Sequence, residues 1–160
     1  WKFEDIEKMY HINIDKDVME FFPSIPSYKE TEAFVLRMQK SYIKNGYCYF
    51  AVDILESNEF IGFIGLSLQT FESEFTPCVD IGWRLKITAW GNGFATEGAK
   101  RCLKFGFDSL NLKNIYAIAP VLNLKSQHVM KKIGMRIITT FLHPKIEAEH
   151  SLQKCVLYEK

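Results

Sequence analysis

The stretch "AWGNGFATEG", residues 89–98, places three glycines around the start of a predicted helix. The first turn of a helix carries backbone N–H groups without intrahelical partners, and the helix dipole adds partial positive charge there. Glycines let a loop approach a ligand closely and expose several N–H groups together. The stretch therefore predicts either a flexible turn or a cradle for the phosphates of a ligand.

Other spacings narrow the class of ligand. The glycine stretch matches neither the G-x-x-x-x-G-K-[ST] motif of nucleoside triphosphate sites nor the full G-x-G-x-x-G fingerprint of dinucleotide sites. His143, His150 and Cys155 follow an H-x6-H-x4-C pattern, which matches no common zinc spacing. We therefore expect no metal ion, and we interpret these histidines as loop residues.

Hydrophobic periodicity predicts the elements that must position the glycine stretch. Ser27 and Glu30 have the spacing of a capping box, which predicts a helix over residues 28–45 that Gly46 ends. Runs of aromatic and β-branched residues predict strands, and helical spacing returns after the glycines. The other predicted helices are 5–11, 95–110 and 124–133, and the predicted strands are 47–54, 60–69, 78–85, 114–121, 135–142 and 152–159. The predicted order is αα-βββ-α-β-α-ββ, with one further strand expected before it.

Composition and charge indicate one packed domain without a strongly charged partner. The chain has 160 residues, of which 48% are hydrophobic, so it can bury a sizeable core. Its formal net charge is +1, which favours neither a nucleic acid nor a membrane as a partner. No apolar run approaches the roughly 20 residues of a membrane-spanning helix. The four scattered cysteines predict free thiols in a reducing compartment, and we expect a cytoplasmic protein.

Three segments resemble, in the right order, the GCN5-related N-acetyltransferase (GNAT) superfamily. "IGWRLKITAWGNGFATEGA" is similar to its acyl-CoA pyrophosphate motif [RQ]-x-x-G-x-[GA], with Trp90 at the Arg or Gln position, Gly93 at the glycine and Ala95 at the small residue. The tryptophan resembles the RimJ/RimL-type branch, which acetylates the N-termini of ribosomal proteins. "NLKSQHVMKKIGM" and "HSLQKCVLY" resemble later segments of that branch.

The resemblance implies a mixed α/β fold with a mostly antiparallel central sheet of six to seven strands. Helices would cover both faces, and the sheet would be splayed between its fourth and fifth strands. A single domain over residues 1–160, with its first strand truncated, would bind acetyl-CoA as cosubstrate. The pantetheine arm would follow the strand that ends at residues 83–85, and the pyrophosphate would lie on the N–H groups of residues 90–96. The implied acyl-CoA contacts are Trp83, Arg84, Leu85, Trp90, Gly91, Asn92, Gly93, Phe94, Ala95, Thr96, Asn123 and Ser126.

The same resemblance raises the question of the proton donor. Acetyl transfer from a thioester to an amine needs a deprotonated amine, a polarised carbonyl and a proton for the departing thiolate. Many superfamily members donate that proton from a tyrosine on the penultimate helix, but this position is Met130. Ser126 and Tyr158 are then the candidate donors, although Ser126 could instead cap the helix. Asn123 would bind the pantetheine amides or cap the same helix.

Asp80 is the candidate general base, because it lies where close relatives often carry a glutamate on the cofactor-facing strand. Its shorter side chain leaves open that it anchors a cationic substrate or pairs with Arg84 on the same strand face. His143 and His150 flank a loop expected to overhang the substrate. Aromatic residues lie where the family builds its acceptor pocket, although they would equally suit a core or a dimer surface; they are Phe21, Phe22, Phe71 and Phe75.

The leading hypothesis is therefore an acetyl-CoA-dependent N-acetyltransferase that acts by direct attack of a primary amine, either a protein N-terminus or a small molecule. The alternative is a catalytically inactive acyl-CoA-binding or sensing module of the same fold. Polyamine or aminoglycoside acceptors would favour an acidic pocket, and the local acidic runs are residues 72–74 and 147–149, which a solvated surface explains equally well. We expect a monomer or a homodimer.

Overall fold

The computed structural model describes residues 1–160 and contains four α-helices and six strands. Their order is the predicted one. The elements are α1 Asp5–Asn13, α2 Tyr28–Asn45, β1 Tyr49–Ile54, β2 Glu59–Gln69, β3 Cys78–Leu85, α3 Phe94–Asp108, β4 Tyr116–Pro120, α4 Leu124–Lys132, β5 Arg136–Leu142 and β6 Lys154–Glu159. A short 3₁₀ turn at Ile87–Ala89, which periodicity did not predict, links β3 to α3.

Local sequence signals set the ends of the long helix α2. The Ser27 backbone N–H donates to Glu30 Oε2 at 2.8 Å, and the Glu30 N–H donates to Ser27 Oγ at 3.3 Å, so the predicted capping box is present. At the other end Gly46 adopts the left-handed conformation, with φ 77°. A residue with a Cβ adopts this conformation at a cost, which explains why the helix ends at glycine.

The sheet consists of two antiparallel halves joined by a short parallel pairing. Its strand order is β1-β2-β3-β4-β6-β5. The strands β3 and β4 pair through one register position, Asp80 with Tyr116, and then diverge. The sheet is thus splayed between its third and fourth strands, whereas the resemblance implies the fourth and fifth in a count that includes the further strand expected before β1. The edge of β3 beyond Asp80 therefore faces an open cleft.

Helices cover both faces of the sheet, as expected. On one face α3 buries Ala99 and Leu103 in a core with Ile64 and Leu66 of β2. On the other face α1 packs against Phe60 and Phe63 in a smaller core; the α1 residues of this core are Met9 and Ile12. Alternate side chains of a strand point to opposite faces, so β2 supplies both cores.

All four cysteines are free thiols, and three of them are buried. None of the helices combines the length and the hydropathy that a bilayer crossing requires.

Candidate active site

The split between β3 and β4 opens into a cavity of about 580 Å³, which we call the first cavity. Its walls are the end of β3, the loop that follows it, the first turn of α3, one face of α4, and part of the connection between α1 and α2. All the acyl-CoA contacts that the resemblance implies line it, except Asn92. The exposed Asn92 side chain instead donates to the carbonyl oxygens of Thr88 and Trp90, at 3.4 and 3.2 Å, and so braces the turn.

The turn before α3 presents a row of free amides to the first cavity. Gly91 and Gly93 adopt positive φ angles of 79° and 87°, and a Cβ at either position would meet no protein atom within 4 Å. The N–H groups of residues 91–96 donate to no backbone carbonyl, because the first such bond of α3 runs from Glu97 to Gly93. An anion in this turn would meet several donors and the positive end of the α3 dipole. The geometry therefore supports the phosphate cradle over the flexible turn.

Basic side chains surround the first cavity. Arg84, Lys125 and Lys132 line it together with His128, whereas Asp17 is its one acidic residue. The ammonium group of Lys125 lies 4.8 Å from the centre of the Trp90 ring, a cation–π distance. This charge suits a ligand with several phosphates. The lysines were not predicted as contacts, although their seven-residue spacing places them on one face of α4.

The Trp90 side chain has a structural role in the turn. Its indole N–H donates to the Leu85 carbonyl at 2.8 Å, which holds the turn against the end of β3. Trp83 packs against the larger core while it also lines the first cavity. The two indoles thus fix the backbone to which a ligand would bind.

A second cavity of about 390 Å³ adjoins the first and extends over the α1 and α2 side of β3. Six residues line both cavities, which marks where they meet: Phe21, Phe22, Trp83, Arg84, Asn123 and Ser126. Asp80 and Met130 line the second cavity but not the first. A ligand that extends from the first cavity to this junction would therefore have Ser126 beside it and would face the part of the second cavity that Asp80 lines.

Asp80 is a buried carboxyl group with two specific donors. Tyr49 donates its hydroxyl to Asp80 Oδ1 at 2.7 Å, and Gln69 donates Nε2 to the same oxygen at 3.0 Å. Burial raises the pKa of Asp80 from its ordinary 3.8 to about 6, and the two hydrogen bonds oppose this rise. The pKa of Tyr49 is raised well above its ordinary value, first by burial and then by Asp80, so its hydroxyl remains a donor. A carboxyl group of this pKa is ionised at neutral pH and is a stronger base than an exposed aspartate.

Asp80 does not pair with Arg84, which corrects that possibility. Arg84 donates Nη1 to Asn13 Oδ1 at 2.6 Å, and its guanidinium carbon lies 4.0 Å from the centre of the Phe22 ring. No salt bridge of the structure includes Arg84. The sequence showed that the two side chains share a strand face, but it did not show that Tyr49 and Asn13 would be nearer partners.

The start of α4 settles which residue caps the helix. Asn123 is the N-cap, and its side-chain oxygen accepts from the Ser126 backbone N–H at 3.0 Å. Asn123 therefore has the capping role that the sequence had offered as one of two. The Ser126 hydroxyl caps nothing and has no hydrogen-bond partner in the protein, so it is free to meet a ligand at the junction of the cavities.

Tyr158 lies in the hydrophobic core rather than at the junction. It is 1% exposed and lines neither cavity. Its hydroxyl donates to Gln127 Oε1 at 3.3 Å, while Gln127 Nε2 donates to the Val121 carbonyl at 2.8 Å. This bond ties β6 to α4 and gives Tyr158 a structural role. Of the two candidate donors, only Ser126 lines the cavities.

Of the four aromatic residues expected to form the acceptor pocket, three line the second cavity and one packs behind them. Phe21, Phe22 and Phe71 line the second cavity, whereas Phe75 packs behind Phe71 with ring centres 5.8 Å apart. His143 lines the cavity next to Phe71, and burial lowers its pKa. The other loop residues behave differently: His150 lines neither cavity, while Lys145 and Ile146 line the second without having been predicted.

No group of three or more metal-ligating side chains lies close enough together to hold an ion. The glutamates of the two acidic runs are exposed and line neither cavity; they are Glu72, Glu74, Glu147 and Glu149. The acidic pocket expected for a polyamine acceptor is therefore not formed by these runs.

Comparisons with known proteins agree with this geometry. A sequence model of the family described as "Acetyltransferase (GNAT) domain" matches residues 1–136. The uncharacterized N-acetyltransferase YnaD of Bacillus subtilis (strain 168) is 29% identical over 137 residues, which are 85% of this chain and 76% of that protein. A crystal structure of a GNAT-family acetyltransferase from Bacillus anthracis has a TM-score of 0.81 at 25% identity and covers 100% of this chain and 90% of its own.

Two more distant structures share the fold. A spermidine N-acetyltransferase from Vibrio cholerae, in complex with CoA and spermine, has a TM-score of 0.75 at 20% identity, and the match covers 100% of this chain and 91% of that one. RimL, a ribosomal L7/L12 α-N-protein acetyltransferase in complex with coenzyme A, has a TM-score of 0.79 at 13% identity, with 100% and 90% covered.

Proposed function

This chain belongs to the GNAT acetyltransferase family and is an N-acetyltransferase, and we propose that it acts by direct attack of a primary amine on acetyl-CoA. The single observation that carries this mechanism is the junction of the two cavities. One cavity has the free amides and basic side chains that suit the phosphates of CoA. The other contains a buried carboxyl group of raised pKa. Ser126 lies where they meet.

The residues of the first cavity fit acetyl-CoA. The unpartnered amides of residues 91–96 would hold its pyrophosphate, and Lys125 and Lys132 would contribute positive charge. The unpaired edge of β3 near Trp83 would accept the pantetheine arm as an added strand. When bound, acetyl-CoA supplies an activated acetyl group as a thioester.

Asp80 would take the proton that the amine loses. An amine attacks as the neutral species, and the new N–C bond forms as the amine gives up a proton. Asp80, ionised above a pKa of about 6, can accept that proton directly or through one water. The second carboxyl oxygen, Oδ2, accepts from neither Tyr49 nor Gln69 and is free for this role.

Ser126 would donate to the thiolate that leaves as the C–S bond breaks. Met130, at the position of the usual tyrosine, is 2% exposed and carries no acidic proton. The Ser126 hydroxyl has no internal partner, and it lies at the first turn of α4, where the helix dipole also favours negative charge. After the thiol leaves, Ser126 regains a proton from solvent and Asp80 releases to solvent the proton that it took from the amine, so both groups return to their starting states.

The acceptor is the less determined part of the function. Trp90 in the pyrophosphate motif and the segment 123–135 support a RimJ/RimL-like chain, which would act on the N-terminus of a protein. A small-molecule amine is the other candidate, and the second cavity is large enough for one. A binding-only module would not need a buried base beside its acyl-CoA cleft, so the Asp80 arrangement favours turnover.

The test is release of CoA thiol from acetyl-CoA by the purified protein with a panel of peptides and small amines. We expect thiol release that depends on the acceptor, together with the mass gain of one acetyl group on the acceptor. Binding of acetyl-CoA without turnover of any acceptor would instead establish the sensing module and reject the proposed mechanism.

A further inference from the structure

Arg84 is a half-buried cation without an anionic partner in the protein. Its Nη1 is held by Asn13, and the guanidinium group stacks 4.0 Å from the Phe22 ring centre and 5.6 Å from that of Phe63. Its Nε is buried without any hydrogen-bond acceptor. Although burial lowers the pKa of Arg84 to about 10, the group remains charged at neutral pH. A cation removed from water in this way is costly unless something neutralises it.

The charges of the second cavity also favour an anion. Asp80 is its one carboxyl group, whereas Arg84 and Lys145 are cationic and His143 is neutral or cationic. None of the glutamates in the neighbouring acidic runs lines the cavity. A polyamine would therefore place its additional positive charges near Arg84 and Lys145, with one carboxylate to balance them. The lining suits an acceptor that carries negative charge as well as an amine.

Asp80 and Arg84 are placed to bind two ends of one molecule. They lie four residues apart on the same face of β3, a distance of about 13 Å along the strand. Tyr49 lies between them, against Gly82, and donates to Asp80. The Tyr49 ring stacks on Phe63 with centres 5.2 Å apart, and Phe63 contacts Arg84. The two rings form a continuous apolar wall from the carboxyl group to the guanidinium group.

We propose that Arg84 is a specificity determinant and that the acceptor is an amine that also carries an anionic group, such as a carboxylate or a phosphate. Its amine would lie at Asp80, its apolar part on the Tyr49–Phe63 wall, and its anion on the guanidinium group. Arginine binds such oxyanions through paired N–H donors. This inference rests on the proposed function, because it names the acceptor class of the same site.

The anionic oxygens that Arg84 binds could come from a second source. Arg84 lines both cavities, so a phosphate of CoA is the competing occupant. Substitution of Arg84 distinguishes the two sources. It should raise the KM for the acceptor if Arg84 binds the acceptor's anion, and the KM for acetyl-CoA if Arg84 binds a phosphate of CoA.

The experiment measures kcat/KM for matched acceptors with the native enzyme and with Arg84→Gln. Each acceptor set contains a long-chain ω-amino acid, which carries its amine and its carboxylate at opposite ends, its carboxamide, and the amine that lacks the carboxylate. An aminoalkyl phosphate with the matching amino alcohol extends the sets to phosphate, and spermidine is added. Comparing the two enzymes on each compound cancels differences in amine basicity. Arg136→Gln is the matched control, since Arg136 is exposed and lines neither cavity.

We expect Arg84→Gln to lower kcat/KM for the anionic acceptors about 10- to 100-fold and to leave the neutral ones within about threefold, as for loss of one charge-assisted bond. The KM for acetyl-CoA should change little, because the proposed pantetheine contact uses the backbone of β3 and not the Arg84 side chain. Spermidine should be a poor acceptor of the native enzyme. Arg84→Lys keeps the charge without the paired donors and should recover part of the loss. Its melting curve, with that of Arg84→Gln, verifies that both variants are folded.

Three outcomes overturn the inference. Equal losses of kcat/KM for anionic and neutral acceptors in Arg84→Gln would show that Arg84 does not bind the anion of the acceptor. A raised KM for acetyl-CoA with unchanged acceptor preference would assign Arg84 to the phosphates of CoA. Neither of these results would affect the proposed function. Absence of turnover with every acceptor, despite acetyl-CoA binding, would reject the proposed function itself and the acceptor class with it.

Discussion

At the scale of single residues, the proposed base Asp80 shows how burial raises the pKa of a carboxyl group. An exposed aspartate is too weakly basic to take a proton from an amine efficiently near neutral pH. Removal from water raises the pKa of Asp80 to about 6, while the bonds from Tyr49 and Gln69 keep the ionised form accessible. The same burial makes the ionised carboxylate a destabilising feature of the folded chain. Catalysis and stability should therefore respond in opposite directions when the charge is removed.

Asp80→Asn should lower kcat about 100- to 10,000-fold, the usual range for loss of a general base, with little change in the KM for acetyl-CoA. Steady-state thiol release with a saturating acceptor measures both constants. Asp53→Asn is the control, because it removes the same charge from an exposed strand residue that lines neither cavity. Native-like turnover by Asp80→Asn would show that another group, or water alone, accepts the proton.

The pH dependence follows from the same carboxyl group. The native kcat/KM should rise with pH up to a pKa of about 6, because Asp80 must be ionised to act as a base, and Asp80→Asn should lack this limb. Any further rise at higher pH belongs to deprotonation of the acceptor amine. A limb near pH 6 that persists in Asp80→Asn would assign it to another residue, of which His143 is the nearest candidate in the cavity.

The free energy of unfolding should respond to Asp80→Asn in the direction opposite to activity. Since the folded-state pKa of Asp80 lies above its unfolded value, the group favours the folded state below about pH 4, and this contribution is lost as the pH rises through about 6. Asp80→Asn should therefore gain stability relative to the native protein between those values, by up to about 3 kcal/mol. Denaturant melts of both proteins across this range measure the difference. A difference that does not vary with pH would contradict the raised pKa.

Ser126→Ala should lower kcat on the order of ten- to a thousand-fold and raise the KM for acetyl-CoA much less, because the bond forms mainly in the transition state. Since Asn123 caps α4, the variant should melt at the native temperature. Asn123→Ala is the comparison that should lose about 1 kcal/mol of stability through its missing cap. A stable Ser126→Ala enzyme with full turnover would leave proton donation to water.

At the scale of elements, the start of α3 has the geometry of an anion-binding turn. Gly91 and Gly93 turn the chain through the left-handed region, so that successive amides face the cleft instead of the helix. No protein atom lies where a Cβ of Gly93 would be, and this space is available to a ligand. A side chain at this position would strain the backbone and would also occupy the space of the ligand.

Gly93→Val should weaken acetyl-CoA binding at least about tenfold while the fold remains. Gly46→Val is a matched control for backbone strain: Gly46 has φ 77°, has open space around it, and ends α2 outside both cavities. Calorimetric titration with acetyl-CoA gives the two affinities. If both variants melt alike and both bind as the native protein does, the pyrophosphate lies elsewhere.

Most of the helices and strands could be predicted from the sequence, because the signals that set their limits are local. The capping box and Gly46 predicted the limits of α2, and periodicity predicted every strand boundary to within two residues. The choice between Asn123 and Ser126 as the cap could not be made, since both residue types are good caps and the two lie only three residues apart. The 3₁₀ turn after β3 has no periodicity long enough to detect.

At the scale of the whole molecule, acetyl-CoA would bridge the two halves of the sheet. The halves share one register position between β3 and β4, so a ligand in the cleft adds contacts to both. Acetyl-CoA at saturation should therefore raise the melting temperature, whereas ATP and NAD should raise it less, because a ligand stabilises the native state in proportion to its affinity. Equal shifts with all three would indicate only a general phosphate site.

Long-range packing explains what the sequence could not reveal about the site. Tyr49, Gln69 and Asn13 contact Asp80 or Arg84 from separate elements, and no spacing in the chain connects them. Tyr158 follows a strand pattern that is the same whether its hydroxyl faces a cleft or the core. The family motifs did locate the residues that line the first cavity, because these residues are contiguous and the proposed contacts are made by their backbone amides.

A crystal structure of the enzyme with CoA tests the central claim most directly, namely that the sulfur of the cofactor reaches the junction of the two cavities. We predict the pyrophosphate within hydrogen-bond distance of the amides of residues 91–96, and the sulfur near Ser126 Oγ on the side that opens toward Asp80. A cofactor bound outside the β3–β4 split, or a sulfur directed away from the second cavity, would contradict the account.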